Sequence, residues 1–404
     1  MKQIIGYRST TRENHLVWEN RMKNFLIYTE PTLISRNKKL EQSKMIEPRQ
    51  RIKILHRHKD LGSDRSAFMR LDKNERTIPF YRKIYKDMLK TVNASLLPMY
   101  PDQQPLYQKL ARFFRLTEDY FLLSAGSDAA IKMIFETYIE PEDEVILLDP
   151  TYAMVEVYAN MFGANQVKVG YDSELNLDFS NLIGRITSQT KMVILANPNQ
   201  PTGTILTQTQ IVELLKKAKA TNTLVVLDEA YQPFSGQDSA AKYVCDYDNL
   251  IVVQTFSKAL GLASLRLGFL VSQPVNLNYL YRVKTHSDIN LFAAKFGEYL
   301  LDHFQIVDDY VESIQKSKQW LAKKLKKMGL VAILGHANFI HIKFPAQYDL
   351  KVITTKLKQN KFLVRVAGDG LPAALEGCMR ITLGPPNQMK EFVRALELEM
   401  SDVQ

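Results

Sequence analysis

The chain has 404 residues, 46% of them hydrophobic and 24% charged, which is the composition of a soluble globular protein large enough for two closely packed domains. No apolar run approaches the ~18 residues that a membrane helix needs, and two cysteines (Cys245 and Cys378) are too few for a disulfide framework and lack metal-ligand spacing. The net charge of +10 is concentrated in residues 1–65, which carry 15 Lys and Arg against 7 Asp and Glu; the remaining 339 residues carry 38 and 36, so the body of the chain is not a nucleic-acid-binding surface.

Residues 1–65 read as a solvated or partner-covering extension, its positive field interrupted by Glu13, Glu19, Glu30, Glu41 and Glu47. The segment has no signal-peptide apolar core, and its acidic residues count against a transit peptide, so a reducing cytoplasm is expected. Further on, Leu123–Asp128 precedes a helix expected over Ala129–Tyr138. From about Glu140, short β-branched runs alternate with amphipathic stretches. Val145–Leu148, Met192–Leu195, Leu224–Leu227 and Leu250–Val253 are apolar on both faces, as strands of a covered parallel sheet are. Between them, Gln208–Ala220 places Ile211, Leu214, Leu215 and Ala218 on one helical stripe. This alternation marks an α/β domain. The C-terminal part follows a different pattern, with a Lys-rich helix over 307–328, a strand at Asn338–Phe344, a helix–strand pair (Leu350–Lys358, Phe362–Val366), a strand near Met379–Leu383 and a helix around Gln388–Met400. That order suits a smaller α+β domain. No internal repeat or low-complexity linker is present.

Four short segments fall where strands of the large domain should end, which is where open α/β sheets gather ligands. In the first, Gly126, Ser127 and Asp128 offer helix N-terminal amides to a phosphate, although Ser and Asp there are also ordinary N-caps. The second, Ala196–Thr204, contains Asn199 and Gln200 in a rigid Pro-rich turn. In the third, Asp228 leaves a buried strand just before Glu229, Ala230 and Tyr231; an acid there is costly unless a cation meets it. A protonated pyridine nitrogen would be that cation, and its protonation makes the ring an electron sink. The fourth, Thr255–Phe269, surrounds Lys258 with apolar residues that favour a nucleophilic amine, while Thr255, Ser257 and Arg266 supply donors suited to a phosphate dianion. A lone lysine in such a segment is ordinarily a surface residue with a buried stem. The order of all four segments argues otherwise.

Together, Ser257-Lys258-Ala259 through Leu265-Arg266-Leu267-Gly268, Asp228-Glu229-Ala230-Tyr231 and Pro201-Thr202-Gly203 make the chain resemble the fold-type I pyridoxal-phosphate (PLP) aminotransferases, in particular the histidinol-phosphate aminotransferase branch, over about Met69 to Arg394. The resemblance implies a mostly parallel seven-stranded sheet between helices plus a smaller α+β domain. It also implies a division into the basic extension (1–65), an arm contributing to the small domain (66–95), a large PLP-binding domain (96–300) and a small domain (301–404). Lys258 would hold the cofactor and move the substrate proton, Asp228 would pair with the pyridine nitrogen, Tyr231 would bond the ring hydroxyl and Tyr152 would stack on the ring. Gly126, Ser127, Asp128, Thr255, Ser257 and Arg266 would surround the phosphate, and Tyr100 would reach it across a homodimer interface. Arg380 would clamp the substrate α-carboxylate, and Asn338 would border the substrate.

The chain departs from the branch at two places. Gln200, with Asn199 one earlier, stands where an Asn immediately precedes Pro-Thr-Gly and meets the ring hydroxyl. Leu71–Phe80 replaces the usual Asn-Glu-Asn-Pro stretch, with Asn74 in the segment that overlies the substrate pocket. Arg365, upstream of Arg380, occupies a place like that of the branch's substrate-phosphate arginine. The expected activity is transamination between an amino acid and a keto acceptor. The alternative is decarboxylation of a phosphorylated amino acid such as serine or threonine phosphate, which uses nearly the same residues.

Overall fold

The computed structural model describes residues 46–55, 64–366 and 375–401. Most of the basic extension, residues 1–45 and 56–63, lies outside the described residues. Every element below belongs to the compact unit that begins at Arg49.

Seven strands form the large sheet: β2 (Phe121–Ser124), β3 (Glu144–Asp149), β4 (Asn165–Gly170), β5 (Thr190–Ala196), β6 (Leu224–Asp228), β7 (Leu250–Thr255) and β8 (Gly268–Ser272), following β1 (Met69–Arg70) in the arm. Their spatial order is β2-β8-β7-β6-β5-β3-β4. Among these strands only β8 runs against its neighbours. Alternate residues of the central strands feed two cores. Val193, Leu195, Val225, Leu227 and Val252 join one, and Met192, Ile194, Val226, Ile251 and Val253 join the other. Burial on both faces explains why these runs lack polar alternation, each such side chain contributing about 1.5–3 kcal/mol. The helix Gln208–Ala220 falls where its apolar stripe placed it, opened by a reciprocal capping box between Thr207 and Gln210. The helix after β2 begins at Ser127, two residues earlier than expected. Strand β4, at the sheet edge, was not evident in the sequence because exposed polar residues interrupt its pattern.

The second sheet is antiparallel, in the order β12-β13-β10-β9, with β9 at Val331–Leu334, β10 at Phe339–Lys343, β12 at Arg365–Val366 and β13 at Cys378–Thr382. A separate two-stranded parallel ribbon pairs β1 with β11 (Phe362–Leu363). The arm continues along the second sheet, where the Thr382 amide donates to the Leu71 carbonyl at 2.8 Å. On one face of this sheet, His341 and Arg365 both stand opposite Arg380, and Phe339 stands opposite Thr382. The long helix Gln305–Lys327 lies close to β9 and buries Lys318.

Candidate active site

The parallel strands deliver Ser124, Asp149, Ala196, Asp228 and Thr255 to one edge of the large sheet. After β2 the chain turns through Gly126 at φ 87° into the helix Ser127–Tyr138, whose N-terminus has no side-chain cap. A Cβ at Gly126 would lie 2.6 Å from Nη2 of Arg266, so only glycine lets the guanidinium approach this turn. Gly268 gives β8 the same closeness, since a Cβ there would lie 2.8 Å from the Ser127 nitrogen. Thr255 Oγ1 donates to Ser257 Oγ at 3.0 Å, and Arg266 Nη1 reaches the same oxygen at 3.5 Å. Helix amides, two hydroxyls and a guanidinium thus converge on one spot, an arrangement that suits a phosphate. Asp128, in the first helical turn, lies 3.5 Å from the Tyr152 hydroxyl, and burial raises the pKa of that phenol.

Asp228 is 5% exposed, and its carboxylate accepts the Ala230 amide at 3.0 Å. Burial pushes its pKa up to about 6, with the Ala230 bond and the Lys258 charge pulling the other way. Its neighbour Glu229 is better supplied, accepting from Ser239 Oγ, from the Ala240 amide at 2.6 Å and from Gln254 Nε2 at 2.9 Å, although burial still lifts it to about 7. Lys258 Nζ stands 5.5 Å over the Tyr231 ring and donates to the Lys73 carbonyl at 3.1 Å. The Tyr231 hydroxyl accepts from Asn74 Nδ2 at 3.0 Å. Asn199 directs its Nδ2 to the Pro150 carbonyl and Thr202 Oγ1, both at 2.9 Å, and leaves its buried Oδ1 without a partner. Gln200 beside it is partly exposed.

The small sheet and the arm close the other side. Arg380 is 4% exposed, donates from Nη2 to the Asp72 carbonyl at 2.8 Å, stands 5.5 Å over the Phe339 ring and leaves Nε unpaired. Asn338 is fully buried, donating to the Asn74 carbonyl at 3.2 Å with its Oδ1 unpaired. Asn74 itself, at φ 55°, donates its backbone N–H to Thr382 Oγ1 at 2.9 Å, and its Oδ1 accepts from that hydroxyl at 3.2 Å, so its side chain is spent on Tyr231 and Thr382. Arg65 anchors the arm by bonding Glu75 at 2.9 Å and also Asp72. Arg365 is exposed on the rung facing Arg380. Tyr100 is 84% exposed and stands in none of the hydrogen bonds of this site within one chain.

The structure therefore gathers Gly126, Ser127, Asp128, Tyr152, Asp228, Tyr231, Thr255, Ser257, Lys258 and Arg266 at the large sheet, and Asn74, Asn338, Arg365 and Arg380 on the small-sheet side. Sequence reasoning missed Thr382, His341 and the Arg65 anchor, which have no local motif and become visible only through pairings across the fold. The chemistry of the donor set fits a phosphorylated pyridine aldehyde: a cradle of donors, a buried acid that lacks a strong cationic partner, and an amine nearby.

The sequence model of the family described as aminotransferase class I and II matches residues 66–396. Over 335 residues the chain is 31% identical to histidinol-phosphate aminotransferase 1 of Carboxydothermus hydrogenoformans, an alignment covering 81% of this chain and 92% of that protein. The crystal structure of histidinol-phosphate aminotransferase from Sinorhizobium meliloti in complex with pyridoxal-5'-phosphate matches with a TM-score of 0.78 at 22% identity, covering 90% of this chain and 100% of that one. L-threonine-O-3-phosphate decarboxylase from Porphyromonas gingivalis matches with a TM-score of 0.71 at 23% identity, covering 82% of this chain and 99% of that one. At these identities the two structural matches establish the fold.

Proposed function

The chain belongs to the class I and II aminotransferases and is a PLP-dependent transaminase, and from that premise we propose that its acceptor is a phosphorylated keto compound of the histidinol-phosphate kind. The observation that carries this reading is the rung on which Arg365 faces Arg380 across β12 and β13. Two arginines on one rung, with burial lowering the Arg380 pKa and the nearby Arg365 charge adding to that effect, suit a substrate with two anionic ends, a carboxylate and a phosphate or two ligands bearing one each. The names of the relatives point the same way.

Bound PLP supplies an electron sink for charge that develops at the substrate Cα. In the proposed site Lys258 would hold the cofactor, and its amine would serve as the base and acid for the proton at the substrate Cα. Asp228, in its dry position, would pair with the ring nitrogen and keep it protonated. Tyr231 and Gln200 would bond the ring hydroxyl, with Asn199 bracing the turn beside Gln200, and Tyr152 would cover the ring face. Gly126, Ser127, Asp128, Thr255, Ser257 and Arg266 hold the phosphate. Arg380 orients the α-carboxylate, Arg365 binds the second anion, and Asn338 and Asn74 wall the pocket.

We further propose a homodimer in which Tyr100 reaches the partner's phosphate cradle. Its support is the exposed apolar group Leu97, Met99, Tyr100 and Tyr281, with Tyr281 lining the same groove as Pro101 and Asp102. The arm at 66–95 serves a small domain at 301–404 beside a large domain at 96–300, a division supported by the β1–β11 pairing. A cytoplasmic setting belongs to the same reading, supported by the free thiols of Cys245 and Cys378.

The test mixes the yellow holoprotein with histidinol phosphate, a panel of amino acids and threonine phosphate, while following the cofactor absorbance and released CO2. Conversion of the cofactor to its amino form without CO2, fastest with the phosphorylated amine, is the expected result. CO2 release from threonine phosphate with the absorbance restored would replace transamination by decarboxylation.

A further inference from the structure

Strand β10 alternates Ile340 and Ile342 with Phe339 and His341, and the latter two stand opposite Thr382 and Arg380. The Phe339 ring meets Tyr231 edge-on at 5.7 Å and His341 at 5.8 Å. His341 is 1% exposed, with Nε2 2.7 Å from the carbonyl oxygen of Pro201. A carbonyl only accepts, so Nε2 carries the proton and Nδ1 is left as a buried acceptor without a partner. Burial lowers the imidazole pKa to about 4, the Arg380 charge adding to that effect, so the ring is a neutral donor.

Two more contacts fasten the same turn to the loop between β9 and β10. The His336 amide donates to the Gly203 carbonyl at 2.7 Å. The backbones of Gly335 and Gly203 approach so closely that a Cβ on Gly335 would lie 2.7 Å from Gly203 Cα. From the helix Gln305–Lys327, Lys318 Nζ secures the Gly335 and Ala337 carbonyls at 2.7 and 2.9 Å. Within the turn, Gly203 and Asn199 are joined by a 2.8 Å backbone bond, as are Asn199 and Thr204, so Asn199–Thr204 moves as one piece.

We propose that His341 is a positioning residue that couples the turn bearing Gln200 to the strand pair bearing Arg380. A shift of β10 carries Pro201 with it, and Pro201 carries Gln200, so the amide at the cofactor ring and the arginine at the substrate carboxylate hold a common register. A leucine would fill the same space but leave the buried Pro201 carbonyl unbonded. The inference rests on the reading that Gln200 faces the cofactor.

The experiment measures the PLP dissociation constant and the bound-cofactor spectrum for Gln200→Ala, His341→Leu, His341→Gln and the double variant Gln200→Ala/His341→Leu. His341→Leu is expected to weaken PLP about tenfold, Gln200→Ala by a similar factor, and the double variant no more than Gln200→Ala alone, since the two act through one contact. His341→Gln, which keeps an N–H donor, is expected to restore affinity to within about threefold of the parent. Should His341→Leu fail to fold, Gly335→Ala displaces the same turn with the imidazole intact and is expected to show the same loss. Unchanged affinity in His341→Leu alongside a loss in Gln200→Ala overturns the coupling alone. Unchanged affinity in Gln200→Ala overturns the reading of Gln200 as well, and losses that multiply in the double variant overturn the shared path.

Discussion

At the edge of the large sheet, polar groups converge with little to satisfy them: first-turn amides, Thr255, Ser257 and Arg266 form a set of donors, and Asp228 has one short amide bond against full burial. On the small sheet Arg380 is already engaged by the arm through the Asp72 carbonyl, and the arm's Lys73 carbonyl reaches across to Lys258. The first region is preorganised for a ligand that brings a phosphate and a cation. If a substrate carboxylate binds Arg380 as proposed, it must displace the Asp72 carbonyl, and affinity there is the net of two competing interactions. On the proposed reading, cofactor retention and substrate selectivity belong to different parts of the molecule and should respond separately to substitution, except at His341, which ties the two.

The largest separation is expected at Lys258, which lies between the two. Lys258→Ala should lower turnover at least a thousandfold, measured as amino transfer in the presence of excess PLP. Activity within tenfold of the parent would remove the lysine from the chemistry, a factor of about 1.4 kcal/mol. Next is Asp228. Its folded pKa, raised from 3.8 to about 6, means that folding favours its protonated form. Its contribution to stability is therefore lost as pH rises between those values, and above pH 6 the buried charge costs about 3 kcal/mol. In the cofactor-free protein, Asp228→Asn should raise thermal stability at pH 7 and flatten the fall between pH 4 and 6, while abolishing amino transfer. Stability that is lower, or a pH profile identical to the parent's, would contradict this assignment of the strain.

Smaller effects separate the substrate side. Arg380→Gln should lower kcat/KM for α-amino acids about a hundredfold while changing PLP affinity less than about twofold. A parallel loss of PLP would break the division between the two regions. Arg365→Gln should cost about tenfold for phosphorylated substrates and little for unphosphorylated ones, as a ratio of kcat/KM values read in one assay. Arg65→Met, which frees Asp72 and Glu75 and loosens the arm, should shift KM by about threefold at constant PLP affinity.

The two regions were also unequally legible in the sequence. The large sheet announced itself because each of its central strands is a continuous apolar run and each ligand-facing turn follows its strand directly, so Lys258, Asp228 and the phosphate turn appear as short contiguous motifs. The small-sheet side depends on partners far apart in the chain: Asn74 with Thr382, Asp72 with Arg380, Lys73 with Lys258. No spacing rule connects them. Arg380 and Arg365 were found through resemblance, but their standing on one rung required the register. His341 was invisible for the opposite reason, because a histidine within the strand Asn338–Phe344 looks like any other core position until its Nε2 is seen to meet Pro201. The edge strand β4 was missed because its exposed residues erase the apolar pattern.

The meeting point of the two regions is open to one direct chemical measurement. Borohydride reduction of the yellow holoprotein fixes the cofactor to the amine that holds it, and peptide mapping locates the added mass. One phosphopyridoxyl group per chain, on the peptide containing Lys258, is the predicted result. Its appearance on Lys73, or its distribution among surface lysines with Lys258 unmodified, would contradict the assignment of Lys258 as the cofactor-holding amine.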